Sequence, residues 1–388
     1  MKEVIFMFKK IILIITVLIL MENFNSCLVS AITYEDLSLT QKIGQMMCLD
    51  FRFWNQKPFT EINPEIKEII AKYHIGSIIL FSQNFETKDQ IKKLISDLQA
   101  TAKESGNPPL LICVDQEGGK VERFAFGRER LKNNSELKTE KEAFEKGQVI
   151  GKELKELGIN CNLAPVVDVN SNPKNPIINV RSFSDKADIV SKFGKSFMEG
   201  LHSQNIISTA KHFPGHGDTD VDSHLGLPRI NKSLEELECT ELKPFETMIN
   251  SNVDMIMTAH IELPQIEKNI MTSKKSGKRF FVPATVSETT LTDLLRNKMS
   301  FDGAIITDAM NMKAISDNFE EWEATKLAIK AGADIVLMPT ILRSKSDVIK
   351  LDSIFESLKN AITSNEISEI QINESISRLL KLKENYCN

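Results

Sequence analysis

The strongest constraint on the fold is an alternation. Eight short apolar runs, at residues 45–51, 77–81, 110–114, 162–167, 207–211, 255–260, 304–307 and 334–338, are separated by longer segments with helical periodicity. Most runs are continuously apolar, the pattern of parallel strands covered on both faces. Residues 65–73, 88–103, 287–297 and 320–330 read as helices. So does the stripe Ile189, Phe193, Phe197 and Leu201, and Ser233 with Glu236 forms a capping-box signature opening another. Segments 348–362 and 367–384 close the chain. Eight strand–helix units predict an α/β fold of the (β/α)8 TIM-barrel type, and their even spacing favours it over a doubly wound open sheet. No low-complexity linker divides residues 32–388, which therefore read as one domain, with 51–63 and 265–283 as insertions.

Residues 1–31 do not fit the alternation. Lys9 and Lys10 precede an unbroken apolar run, residues 11–21, and then Glu22, Asn23 and Asn25. A basic region before a short apolar core reads as a secretory signal. A membrane span needs about 20 apolar residues. Val29-Ser30-Ala31 supplies a small-residue cleavage site, which predicts a mature chain starting at Ile32, without a stable transmembrane span and secreted or held at the cell surface. Cys27 is the second reading, a lipid anchor, although only Ser26 of its preceding residues suits that role. The remaining cysteines, Cys48, Cys113, Cys161, Cys239 and Cys387, are odd in number and irregular in spacing. They form neither a disulfide framework nor a zinc pattern. A formal net charge of −5 argues against a nucleic-acid partner.

In a barrel the active site lies at the C-terminal ends of the strands. Ionisable residues gather there: Asp115-Gln116-Glu117-Gly118-Gly119 after the third run, Asp168 after the fourth, Lys211-His212 at the fifth, His260 and Glu262 at the sixth, and Asp308 after the seventh. The densest segment, KHFPGHGDTDVDSH at residues 211–224, holds three of the six histidines and Asp218, Asp220 and Asp222. It allows a cation site, or an acid–base pair in which a carboxylate orients an imidazole; Asp222 and His224 are close enough in sequence for the latter. A merely solvated polar loop fits poorly with its Gly and Pro residues. Asp308 suits a nucleophile or general base, but equally a helix N-cap. Asp115 and Asp168 carry the same ambiguity. Arg123 and Arg181 are the candidate fixed cations, or simply neutralise Asp115 or Asp185.

These motifs are what make the chain recognisable. KHFPGHGDTDVDSHLGLP at 211–228, VDQEGGKVERF at 114–124 and IITDAMNM at 305–312 resemble glycoside hydrolase family 3, in particular its bacterial β-N-acetylglucosaminidases of the cell-wall-recycling type. The resemblance implies a retaining double displacement with Asp308 as nucleophile and His224 as acid/base, partnered by Asp222. It implies sugar-binding roles for Asp115, Arg123, Arg181, Lys211 and His212, and a loop-shaping role for His216. The implied partner is an N-acetylglucosamine-containing glycan or muropeptide; no metal and no cofactor are implied. A histidine acid/base departs from the usual pair of carboxylates. Many relatives also carry a further α/β sandwich domain, for which no second segment is read here. A β-glucosidase, a phosphorylase sharing the histidine, and a non-catalytic sugar-binding protein are the alternatives.

Overall fold

A computed structural model describes residues 32–387. The segment read as an export signal, the cleavage expected after Ala31 and the alternative anchor at Cys27 lie outside the described residues. The apolar runs become eight parallel strands: β1 (Met47–Asp50), β2 (Ser77–Leu80), β3 (Leu111–Val114), β4 (Cys161–Asn162), β5 (Thr209–Phe213), β6 (Met255–Thr258), β7 (Ala304–Ile306) and β8 (Val336–Leu337). They form a five-stranded sheet, ordered β8-β1-β2-β3-β4, and a three-stranded one, β7-β6-β5. Isolated parallel bridges join Cys161 to Ile207, Val166 to Lys211, and Ile306 to Ile335. The chain is therefore an α/β protein built on parallel sheets. Of the fourth run, 162–167, only Asn162 lies in the ladder, which starts one residue earlier at Cys161. Pro165 beyond them has no N–H to contribute, and Leu163 and Val167 instead donate to Val114 and Lys211 on opposite sides.

Both segments read as insertions fold into small antiparallel ladders, Phe53–Trp54 with Lys57–Pro58 and Ile270–Thr272 with Arg279–Phe281. The capping box at Ser233 and Glu236 opens Leu234–Cys239 as expected. The longest helix without a counterpart in the sequence reading is the 18-residue Glu140–Leu157; the short helices Leu39–Gln45, Leu242–Ile249 and Lys313–Ser316 are others. The buried face of Glu140–Leu157 includes Ala143, Gly147 and Gly151, small residues that interrupt its apolar stripe. That smallness lets the helix press on Ala187–His202: a Cβ on Gly147 would lie 2.1 Å from the Phe197 carbonyl oxygen. Phe193, Phe197 and Leu201 are buried behind this contact. Cys48, Cys113 and Cys161 are buried in the strands with free thiols, as small hydrophobes. Among the described residues, no helix is long and apolar enough to cross a membrane.

Candidate active site

The site begins with a tight turn after β3. Gly118 and Gly119 adopt φ of +79° and +67°, where a side chain would be strained. The chain doubles back so sharply that the N–H groups of Glu117 and Gly118 both donate to Val121 O. Gln116 fixes the return: its amide donates to Phe124 O at 2.9 Å and its Oε1 accepts the Arg123 N–H at 2.8 Å. Asn162 on β4 holds the Gln116 backbone on both sides at 3.0 Å. Arg123 is thereby folded onto Asp115, Nη2 to Oδ2, at 2.9 Å.

Lys211, on β5, reaches across to the same turn. Its ammonium lies 2.8 Å from both Asp115 Oδ1 and Glu117 Oε1, with only 2% of its side chain exposed. Glu117 is also gripped by both arms of Arg181, at 2.9 and 2.7 Å. Arg181 thus neutralises Glu117, not Asp185. Burial alone would push both carboxyls up, yet Lys211 with Arg123 holds Asp115 well below the usual range, and Arg181 with Lys211 holds Glu117 down at about 2. Lys211 is correspondingly raised despite its burial, by Asp115 and Glu117. The result is a rigid floor of donors and acceptors in fixed ionisation states.

Asp168 does not line this cavity; it supports it. One oxygen accepts the backbone N–H groups of His212 (3.1 Å) and His216 (2.7 Å), and the other meets His212 Nδ1 at 2.7 Å. His212 is thereby held in the wall. His216 is engaged deeper, with Thr219 Oγ1 at 2.8 Å and Ser223 Oγ at 3.1 Å. The local pair forms further along the loop: Asp222 Oδ1 lies 2.8 Å from His224 Nδ1 and accepts the His224 N–H at 2.8 Å. The His224 side chain is 61% exposed, its Nε2 edge free to face a ligand. The cation reading of this loop required its side chains to converge. Instead Asp218 pairs with Lys232, and among the described residues no group of three or more His, Cys, Asp or Glu side chains converges as metal ligands would.

The two readings of Asp308 are separated by geometry. Its Oδ1 accepts the N–H of the adjacent Ala309 at 2.7 Å, and the next helix, Lys313–Ser316, starts only after Met312. Asp308 is therefore no N-cap. Burial would raise its carboxyl, but the neighbouring His260 and His212 and the Ala309 amide hold it below the usual range. It is an ionised oxygen donor ready at neutral pH. His260 is itself pushed down by burial and fixed between Thr285 Oγ1 (2.8 Å) and Ala309 O (3.0 Å). Glu262 points elsewhere, to Arg229.

One cavity of about 360 Å³ is lined by Asp115, Arg123, Arg181, Lys211, His212, His224 and Asp308 together. Of the residues the resemblance assigns to catalysis or sugar binding, Asp222 alone is not in the lining; it stands behind His224, bonded to its Nδ1. Sequence reasoning assigned no role to Glu117, which clamps two of the cations, nor to Arg52. Arg52 lines the same cavity, stacks on Phe81 at 3.6 Å and pairs with Asp50. The Glu117 signal was present in the Asp-x-Glu spacing at a strand end. Arg52 follows the first run with no motif around it.

The buried His216 makes stability pH-dependent. Burial, with His212 beside it, pushes its pKa from 6.5 to about 4. The unfolded chain takes up this proton near 6.5 while the folded one does not until about 4, so stability falls as pH drops through that window, by about 3 kcal/mol at most. Urea unfolding of His216→Gln should show a shallower loss between pH 7 and 4.5 than the wild type. An unchanged slope would assign the pH dependence to other groups.

Parallel strands with a polar cavity at their C-terminal ends, a fixed floor of ion pairs, an ionised carboxylate and a His–Asp pair define a class of site built to recognise a small, oxygen-rich molecule. The chain belongs to glycosyl hydrolase family 3: the profile of the Glycosyl hydrolase family 3 N terminal domain matches residues 38–382. It is 38% identical over 366 residues to Beta-hexosaminidase A of Pseudoalteromonas piscicida, covering 89% of this chain and 61% of that protein. It is 34% identical over 286 residues to a Beta-hexosaminidase of Idiomarina loihiensis, covering 72% of this chain and 81% of the relative. A solved glycoside hydrolase family 3 beta-N-acetylglucosaminidase from Paenibacillus sp. superposes with a TM-score of 0.81 at 36% identity, over 90% of this chain and 63% of that one. The chain thus spans about three fifths of the length of two of these relatives.

Proposed function

We propose that this chain is an exo-acting, retaining β-N-acetylglucosaminidase that releases terminal β-linked N-acetylglucosamine from cell-wall fragments or related glycans. The observation that carries the reading is that Asp308 and His224 line one cavity, with Asp222 behind His224 at 2.8 Å. In the first step Asp308 attacks the anomeric carbon as the glycosidic bond breaks. Protonated His224 gives its Nε2 proton to the leaving oxygen while Asp222 keeps hold of Nδ1. In the second step His224 takes a proton from water, the water oxygen attacks the anomeric carbon, and Asp308 is released. Asp115, Arg123, Arg181, Lys211 and His212 hold the sugar's hydroxyl and acetamido groups, so orientation precedes chemistry. The beta-hexosaminidase names of the relatives support the sugar assignment.

The same reading closes β1–β8 into a (β/α)8 barrel, supported by the bridges between the edges of the two sheets. It treats residues 32–388 as one domain, and residues 1–31 as an export signal that directs the enzyme to wall or external glycans. The test compares a chromogenic β-N-acetylglucosaminide with the matching β-glucoside, in phosphate and in phosphate-free buffer. Turnover of the first well above the second, with free sugar as product, is expected. Equal rates would overturn the sugar assignment, and sugar 1-phosphate as the product in phosphate buffer would make the enzyme a phosphorylase.

A further inference from the structure

The loop that carries Asp222 and His224 has one anchor. Among the described residues, the hydrogen bonds that leave residues 220–226 run through Ser223, the residue between the pair. Its Oγ meets His216 Nε2 at 3.1 Å, and its carbonyl accepts the Ala314 N–H at 3.2 Å. Ser223 is 2% exposed, whereas the neighbouring His224 side chain is mostly in solvent. Ala314 lies six residues beyond Asp308 on the same connection. The position of the acid/base relative to the nucleophile is therefore transmitted through a single serine.

The hydrogen bonds behind that serine have a direction. The Thr219 hydroxyl donates to His216 O at 3.0 Å, so its oxygen is left to accept, from Asn175 Nδ2 at 3.2 Å and from His216 Nδ1 at 2.8 Å. The His216 proton then sits on Nδ1, and Nε2 accepts the Ser223 hydroxyl. The base of the assembly is fixed by Asp168, which accepts the His216 backbone N–H. We infer that His216, acting through Ser223, is a positioning residue that holds the Asp222–His224 pair over the cavity in register with Asp308. The inference rests on the proposed glycosidase reading.

The test uses leaving-group dependence, because only a poor leaving group needs a proton in the transition state. The full-length enzyme and its Ser223→Ala variant are assayed on N,N′-diacetylchitobiose, whose leaving group is a sugar alcohol, and on a 2,4-dinitrophenyl β-N-acetylglucosaminide. A mispositioned acid should lower kcat on chitobiose by about 10–100-fold with KM within roughly twofold, and leave kcat/KM on the activated substrate within roughly threefold. Ser223 itself borders the cavity, so Thr219→Val, which removes the His216 partner from outside the cavity, provides the second arm. It should show the same split at smaller amplitude. Equal losses on both substrates, or no loss in either variant, would overturn the inference. No turnover by the wild type would overturn the glycosidase reading and this inference with it.

Discussion

Replacing Asp308 with Ala is expected to lower kcat/KM on a β-N-acetylglucosaminide by about 10⁴-fold, about 5 kcal/mol of lost transition-state stabilisation. The magnitude follows from the proposed role: a nucleophile that is removed can form no covalent intermediate, and the remaining contacts would only bind and orient. Structure should survive the change. Asp308 is half-buried, makes one hydrogen bond to its neighbour's amide, and opens no ion pair when removed. Kinetics beside a thermal melt will check this, with an unchanged melt and a lost rate as the expected pair. The stereochemistry offers an independent check, since nuclear magnetic resonance of the first product formed by the wild type should show the β anomer. Substantial activity in Asp308→Ala, or an α first product, would remove Asp308 from the nucleophile role.

Lys211→Met should destabilise the fold by about 3–5 kcal/mol, the usual result of stripping one partner from a buried ionic cluster. Asp115 and Glu117 would keep Arg123 and Arg181 but lose the ammonium that lies 2.8 Å from both. The pH dependence carries a second signature. Glu117 is held at about 2, below its ordinary 4.5, so its contribution is fully present above pH 4.5 and lost as pH falls from there towards 2. In Lys211→Met that carboxyl rises, and acid unfolding should begin at higher pH. Guanidinium titrations at pH 7 and pH 4 would measure both effects. A midpoint unchanged from the wild type would mean that the arginines suffice and that Lys211 serves the ligand alone.

Much of this site was legible in one dimension. Asp115, Lys211, His212 and Asp308 stand where apolar runs end, and a carboxylate or ammonium at the mouth of a buried strand has to be paired or used. The Asp222–His224 contact spans two residues, so spacing alone exposes it. Other features were illegible for identifiable reasons. Arg181 binds Glu117, 64 positions away, not the nearby Asp185, because the two glycines after Glu117 turn that carboxylate inward. Whether Asp308 caps a helix depends on where that helix starts, and it starts several residues further on, after Met312. Helix Glu140–Leu157 is weakly marked in sequence because Ala143, Gly147 and Gly151 interrupt the apolar stripe of Ile150, Leu154 and Leu157, and those small residues allow the closest approach.

The alternation of apolar runs with helical segments already dictated an α/β protein with parallel sheets, because strands without a polar face must be covered on both sides. The same runs located the reactive end of the molecule, since ionisable groups cannot remain inside them. Tertiary contacts settled the division of labour among those groups. Asp115 and Glu117 became ion-paired floor, Asp168 became a brace for two histidines, and Asp308 kept an oxygen facing the cavity. Such assignments depend on which opposite charge lies within a few ångströms in a medium of low dielectric, and those partners arrive from strands far apart along the chain.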